Sequence, residues 1–181
     1  MPTISPRWND NGQIQEQGAW CWAATTSIMR ACFGGGALPQ ARIVHDWLMS
    51  ETAEPGERTD NYRAWITSFD IQPTTWDNVA NAVGNSPAAT ELMNGAYGNS
   101  LPGVAIEYTD LGGKSIEDIA QLLDAGGLYV IGSNEHWQTL YGVDPDQGKL
   151  LVWDPLQGAV TRDLDWLQGM AAFSVTGYNE L

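Results

Sequence analysis

The chain has 181 residues, 43% of them hydrophobic and 17% charged, and carries a formal net charge of −14 at pH 7. This composition is typical of a folded domain and excludes a disordered chain. The negative charge argues against nucleic acid and anionic membranes as partners, because both bind clustered Lys and Arg. No stretch approaches the roughly 20 apolar residues of a membrane span. Since no signal peptide is visible, we expect a protein that is cytoplasmic, exported by a signal-independent route, or cut from a longer precursor.

The first half of the chain is predicted to be helical after an extended lead-in over residues 1–18. Good helix formers predict a helix over Cys21–Phe33, which three consecutive glycines end. A second predicted helix, Pro39–Ser50, begins with a proline, which suits the first turn. A polar loop over residues 51–60 follows. The amphipathic segments after this loop predict three short helices: Tyr62–Phe69, Trp76–Val83 and Thr90–Tyr97.

The second half is predicted to be an antiparallel sheet with one longer helix. Ser115 is a good N-cap, and the acidic residues after it favour a helix that ends at Leu123. A hairpin loop is expected at residues 144–148 and a short helix near residues 163–168. Alternating or short apolar runs predict five strands: Val104–Tyr108, Leu128–Ile131, His136–Val143, Lys149–Trp153 and Ala171–Val175.

The order of these elements predicts a single domain of the α+β class over residues 1–181. A helical lobe at about residues 19–100 is expected to pack on an antiparallel sheet lobe at about residues 101–181. We find no internal repeat and no low-complexity tract that would divide the chain further.

Cys21 is the candidate nucleophile. It is predicted to open a helix, and the N-terminus of a helix favours a negatively charged sulfur. The alternative is a buried cysteine that acts as a small hydrophobe, which explains Cys32 better because Cys32 lies within the helix near the glycine run. Two cysteines this far apart on one helix are separated by about 16 Å, too far for a disulfide. The spacings of Cys and His do not indicate a zinc site.

Two histidines compete for the role of base. His45 falls in the second predicted helix, where a packed or surface role is expected, whereas His136 opens an alternating strand beside a loop, which favours a position in a cleft. Asp154 ends the next strand. If Val143 pairs with Lys149, Asp154 lies diagonally across from His136 on the same face, about 7 Å away between backbones. A slip of one residue would move Asp154 to the other face.

Asp154 also has a structural explanation. It precedes Pro155, and an Asp-Pro pair is typical of a turn at the end of a strand. Asp144 and Asp146 belong to the predicted hairpin loop, where they are expected to be solvated, so they are weaker candidates for the partner of a histidine.

Three glutamines, Gln13, Gln15 and Gln17, precede the candidate nucleophile. A side-chain amide at such a place can donate a hydrogen bond to an oxyanion that forms beside the sulfur. Their positions alone do not choose among the three. Trp20 either lines a subsite or packs in the core, and Trp22 is expected to be a core residue under the helix.

Together these residues resemble those of papain-like cysteine peptidases. The similarity is to the short bacterial branch with a Trp-Cys-Trp-Ala-Ala box, here residues 20–24, which includes secreted effector proteases of plant pathogens and relatives of the bacteriocin-leader peptidases. In that family a glutamine lies six residues before the nucleophile, which selects Gln15 over Gln17. The family histidine begins a strand, as His136 does, and an Asp-Pro pair ends the next strand, as at Asp154.

The resemblance implies a papain-like fold and a cysteine peptidase that is a monomer, needs no metal or cofactor, and acts on a protein or peptide. It implies a bacterial secreted effector as one setting. The implied catalytic residues are Cys21, His136, Asp154 and Gln15, and the implied substrate contacts are Trp20 and Trp137. Residues 51–100 have no counterpart in the resemblance, and substrate specificity is expected there. Two alternatives stay open: an acyltransferase or amidase on the same triad, and an inert papain-like binding module.

Overall fold

The computed structural model describes residues 1–16, 20–49, 101–133 and 136–180. The three short helices predicted between residues 62 and 97 lie outside the described residues, as does Gln17. Within the described part of the chain, no helix has the length and apolar character needed to cross a membrane.

Three α-helices fall within these ranges: α1 (Cys21–Cys32), α2 (Gln40–Met49) and α3 (Ile116–Asp124). Every residue of α1 from Cys21 to Arg30 is buried, so this helix runs through the interior. The predicted N-cap of α3 is confirmed, because Ser115 accepts a hydrogen bond from the Asp118 N–H and donates its own N–H to the Asp118 carboxylate, both at 3.1 Å. This reciprocal pair is a capping box, which fixes the start of a helix.

The described strands form a seven-stranded antiparallel sheet. They are β1 (Thr3–Ile4), β2 (Val104–Tyr108), β3 (Tyr129–Ser133), β4 (His136–Asp144), β5 (Lys149–Asp154), β6 (Gly158–Asp163) and β7 (Ala171–Tyr178). The spatial order of its main strands is β2-β7-β3-β4-β5-β6, and the short β1 pairs with β4. A 3₁₀ helix, Leu164–Leu167, lies between β6 and β7.

The sheet is covered on both faces, because its strands send alternate side chains to opposite sides. In β3, Val130 packs into one core with α1 and α2, while its neighbours Tyr129 and Ile131 pack into a second core with α3. The predicted α+β class is confirmed. The sheet therefore separates two cores and supports α1 from one side.

The pairing of β4 with β5 differs from the predicted register at the hairpin. The sequence predicts Val143 opposite Lys149, but Lys149 pairs with Asp144. This prediction was wrong by one residue, and a uniform slip of that size would move the end of β5 to the opposite face.

A β-bulge at Tyr141 cancels the slip. The register shifts between Leu140 and Gly142, and a bulge adds one residue to one strand. Beyond the bulge Thr139 pairs with Trp153, which is the alignment that the predicted register requires at this end. Uninterrupted alternation along β4 would place Val143 on the same face as Trp137, but the bulge moves Val143 into the core beside α3.

Candidate active site

The first component of the site is Cys21, the first residue of α1. Cys21 is 2% exposed, and both it and Cys32 are free thiols. The N-cap residue, Trp20, provides no side-chain hydrogen bond to the start of the helix. Since the first backbone N–H groups of a helix have no acceptor within it, the sulfur of Cys21 lies next to donors that favour negative charge.

The second component is His136, the first residue of β4. Its Nε2 atom lies 2.8 Å from Oδ1 of Asp154, and its side chain also forms a hydrogen bond with Cys21. Because Nε2 is engaged by the carboxylate, Nδ1 is the ring atom left for the sulfur. The two residues are 115 positions apart in sequence, and the fold brings them into direct contact.

The surroundings of His136 act on its pKa in two directions. Burial is the largest influence and alone would lower the pKa, since it disfavours the charged ring. The hydrogen bonds to Cys21 and Asp154, with the negative charge on both partners, outweigh burial and raise the pKa of His136 above its ordinary value. The site therefore favours an imidazolium beside the sulfur.

The third component is the Asp154 carboxylate at the end of β5, which is 3% exposed. Its Oδ1 also accepts the Leu156 N–H at 2.8 Å. Its Oδ2 accepts from Gln157 Nε2 at 3.3 Å and from Arg162 Nη2 at 3.4 Å. Four donors thus surround the carboxylate, and the turn-forming explanation of this Asp holds alongside its contact with His136.

Gln15 lies beside this cluster in the extended lead-in. Its backbone N–H donates to the Pro155 carbonyl at 2.9 Å, so it runs next to the residue that follows Asp154. The indole N–H of Trp153 donates to the Gln13 carbonyl at 2.9 Å. These two bonds tie residues 13–15 of the lead-in to the end of β5.

Two other predicted residues lie away from solvent. Trp20 is 1% exposed and Trp137 is 2% exposed, and both belong to the core around α1. Their burial favours packing, which was the alternative for Trp20. Trp22 is fully buried, as predicted.

His45, the competing histidine, is half-buried in α2. Burial lowers its pKa, against the smaller opposing effect of the neighbouring Asp46 carboxylate. The pKa values of the two histidines are thus shifted in opposite directions. Of the two, His136 contacts both a cysteine and a buried carboxylate.

Two polar side chains at the site, Gln40 and Arg162, were not predicted from the sequence. Gln40 opens α2, is 2% exposed, and hydrogen-bonds to the backbone on both sides of Gln15. Arg162 in β6 bonds to Asp154 and lies 5.7 Å from the Trp166 ring centroid. For Gln40, the sequence shows only a polar residue directly after Pro39 at a predicted helix start. The strand that carries Arg162, β6, was not predicted.

Within the described ranges, no group of three or more His, Cys, Asp or Glu side chains is arranged to hold a metal ion. The chemistry available is that of a sulfur nucleophile, an imidazole and a carboxylate in sequence. An α+β fold with this arrangement at the start of a buried helix defines the class of papain-like cysteine peptidases.

Comparison with known proteins assigns the family. The model of the Peptidase_C39-like family matches residues 7–181, so the chain belongs to this family and is a cysteine protease. No curated protein matches the chain. Among solved structures, it is similar to a double glycine motif protease from an AMS/PCAT transporter in complex with the leader peptide, with 13% identity, 90% of this chain and 89% of that chain covered, and a TM-score of 0.43.

Proposed function

We propose that this cysteine protease hydrolyses peptide bonds with Cys21 as nucleophile, His136 as acid and base, and Asp154 as the group that orients the imidazole. The side chain of Gln15 and the backbone N–H of Cys21 act as donors to the oxyanion. The observation that carries the proposal is the position of His136, which hydrogen-bonds to the cysteine and to the buried carboxylate at once.

In the first half of the reaction, the Cys21 thiolate attacks the carbonyl carbon of the substrate and forms a C–S bond, while the carbonyl oxygen becomes an oxyanion. The two donors stabilise that charge, and each lowers the barrier by about 2–4 kcal/mol. As the C–N bond breaks, the His136 imidazolium gives its proton to the leaving amine. The raised pKa of His136 favours the protonated ring that this step needs. A thioester remains on the enzyme.

In the second half, neutral His136 accepts a proton from water as the water oxygen attacks the thioester carbon. The C–S bond then breaks, the carboxylic acid leaves, and the thiolate–imidazolium pair is restored. Asp154 keeps Nε2 protonated and fixes the ring orientation throughout.

Two exposed apolar side chains extend the site toward the substrate. Ile14 and Leu156 are 51% and 57% exposed, and the hydrogen bond from Gln15 to Pro155 brings their backbones side by side. Apolar side chains at the edge of a cleft bind apolar groups of a ligand. We therefore assign substrate contact to these two residues, and to neither Trp20 nor Trp137.

The test is profiling of new protein N-termini in a cell lysate treated with the wild-type chain, Cys21→Ala or Cys32→Ala. Wild type and Cys32→Ala should generate one set of cleavage sites, and Cys21→Ala should generate none. Cleavage by a folded Cys21→Ala variant would end the proposal. An apolar residue should recur beside the cut bond, and Leu156→Ser should weaken that preference.

The same design addresses the alternatives. Mass analysis with an added primary amine distinguishes hydrolysis from acyl transfer, because transfer leaves the amine on the product. An effector role predicts that the cleaved proteins come from a foreign cell and not from the cell that produces the enzyme, so lysates of both kinds should be compared.

A further inference from the structure

A buried glutamine amide holds the backbone on both sides of Gln15. Gln40 is 2% exposed. Its Nε2 donates to the Ile14 carbonyl at 2.7 Å, and its Oε1 accepts the Glu16 N–H at 2.9 Å. A primary amide offers a donor and an acceptor side by side, so one side chain satisfies two backbone groups of the extended lead-in.

The opposite edge of the same segment is fixed by the sheet lobe. Gln13 accepts from the Trp153 indole, and Gln15 donates to the Pro155 carbonyl, each at 2.9 Å. Backbone groups of an extended chain point alternately to its two edges. Residues 13–16 are therefore clamped between α2 on one edge and the end of β5 on the other, with Gln15 in the middle.

We propose that Gln40 is a positioning residue for the Gln15 amide in the oxyanion hole, an inference that rests on the proposed function. An oxyanion donor contributes only if it lies about 2.7–3.1 Å from the developing charge. A displacement of about 1 Å can cost roughly 10²-fold in rate. The Gln40 clamp supplies this precision, since it restrains both peptide units that flank Gln15.

The test compares two reactions of the same sulfur. Acylation of Cys21 by p-nitrophenyl acetate forms a C–S bond, passes through an oxyanion and releases p-nitrophenolate. Alkylation by iodoacetamide forms a C–S bond at a saturated carbon, releases iodide and develops no oxyanion. The ratio of the two rates cancels changes in the reactivity and access of the sulfur and isolates the oxyanion hole. Both rates are followed at the Cys21 peptide by mass spectrometry.

Gln40→Met keeps the length of the side chain and removes both hydrogen bonds. It should lower the acylation-to-alkylation ratio about tenfold or more, and Gln15→Ala should lower it about 10²-fold. In the double variant, Gln40→Met should add nothing to the loss from Gln15→Ala, because the clamp acts through that amide. An unchanged ratio in Gln40→Met, or a full additional loss in the double variant, would overturn the inference.

The control variant is Thr26→Val, which removes another buried hydrogen bond, from Thr26 Oγ to the Pro102 carbonyl at 2.8 Å. It should lower stability and leave the ratio unchanged. If Gln40→Met does not fold, Gln40→Glu replaces it. Its carboxylate accepts the Glu16 N–H but cannot donate to Ile14, so the ratio should be low at neutral pH and recover toward wild type as the carboxyl is protonated.

Failure of the proposed function gives a different result. If Gln15→Ala leaves the ratio unchanged, Gln15 is not an oxyanion donor and the function proposed for it is wrong. If Gln15→Ala lowers the ratio while Gln40→Met does not, the oxyanion assignment stands and only the role of Gln40 fails.

Discussion

Replacement of Asp154 by Asn separates the charge of this residue from its shape. In the wild type, Oδ1 lies 2.8 Å from both His136 Nε2 and the Leu156 nitrogen. An asparagine oxygen can keep both of these bonds. Its amide nitrogen then takes the place of Oδ2 and faces two donors, Gln157 and Arg162, which lie 3.3 and 3.4 Å from the oxygen that they lose.

The orientation of the new amide decides the size of the effect on catalysis. A flipped amide would present an N–H to the Leu156 N–H, and two donors cannot form a hydrogen bond with each other. The short bond to Leu156 therefore selects the orientation that keeps the His136 tautomer, and we expect kcat to fall by no more than about tenfold. In Asp154→Ala the ring loses its orienting partner, and we expect a loss of about 10²-fold or more.

The hydrogen bonds that Asp154 loses on substitution determine how much stability each variant loses. Two weak hydrogen bonds lost at about 0.5–1.5 kcal/mol each make Asp154→Asn less stable by roughly 1–3 kcal/mol. Arg162 is 29% exposed, so water takes up part of its lost interaction and the lower end applies. Asp154→Ala leaves a partly buried cation and several buried donors without their acceptor, which costs about 3–5 kcal/mol.

The loss of the negative charge in Asp154→Asn also alters the pH dependence of activity and stability. Burial lowers the pKa of His136, and contacts with Cys21 and Asp154 raise it overall. Asp154→Asn removes one of these charges, so the pKa must fall relative to wild type. The alkaline limb of kcat/KM, where His136 loses the proton that it gives to the leaving amine, should move to lower pH. The stability that this contact gives is present below about pH 6.5, the ordinary pKa of histidine, and is lost as pH rises through the raised folded-state pKa.

Titration of the ring protons by NMR measures this directly, because the chain has only two histidines. His45→Asn assigns the two signals, and His45 should titrate at an unchanged pH in the Asp154 variants. Kinetics on a peptide found by the N-terminal profiling supplies kcat and its pH profile. An unchanged His136 pKa in Asp154→Asn, or a loss of about 10³-fold or more in its kcat, would refute the reasoning.

Three further predictions concern Gln15, Arg162 and Ser115. Gln15→Ala should lower kcat about 10²-fold in steady-state assays, and Gln17→Ala should leave it near wild type; the reverse result would show that the family spacing selects the wrong amide. Arg162→Met should lower stability in urea by about 1 kcal/mol and kcat/KM by less than tenfold; a larger kinetic loss would make its cation part of the reaction. Ser115→Ala removes the capping box and should cost about 1 kcal/mol of stability, with activity per folded molecule unchanged; altered activity would contradict the separation of this cap from the site.

Local chemistry made the main components of the site predictable. A cysteine at a predicted helix start, a histidine opening a strand and an Asp-Pro pair each carry a local pattern, and the helix and strand starts at Cys21 and His136 agree with the structure. The short β1 and the partly polar β6 were missed. β1 has two residues, and β6 alternates with few apolar side chains, so neither gives a strong periodic pattern.

The register of β4 on β5 shows what a local pattern cannot supply. Gly142 inside the strand is compatible with a bulge at Tyr141, but the position of a bulge depends on how the two strands pair along their length. Two deviations, the slip at the hairpin and the bulge, cancel before His136. The predicted position of Asp154 therefore holds although the hairpin pairing behind it does not.

The contacts of Gln40 and Arg162 could not be predicted from the sequence. Gln40 bonds to residues 24 and 26 positions away, and it can do so only because α2 packs against the lead-in segment. A polar side chain in a helix start or a strand is ordinarily solvated, and only the packed structure shows that Gln40 is buried and that Arg162 reaches Asp154.

The contact between the Cys21 sulfur and the His136 imidazole is the basis of the proposed chemistry. Its most direct test is the His136 pKa in the wild type and in a folded Cys21→Ala variant, followed by the same ring-proton signal. The contact predicts a wild-type pKa above the ordinary histidine value and a clear decrease when the sulfur is removed. Equal His136 pKa values in the two proteins would show that the sulfur and the ring do not interact.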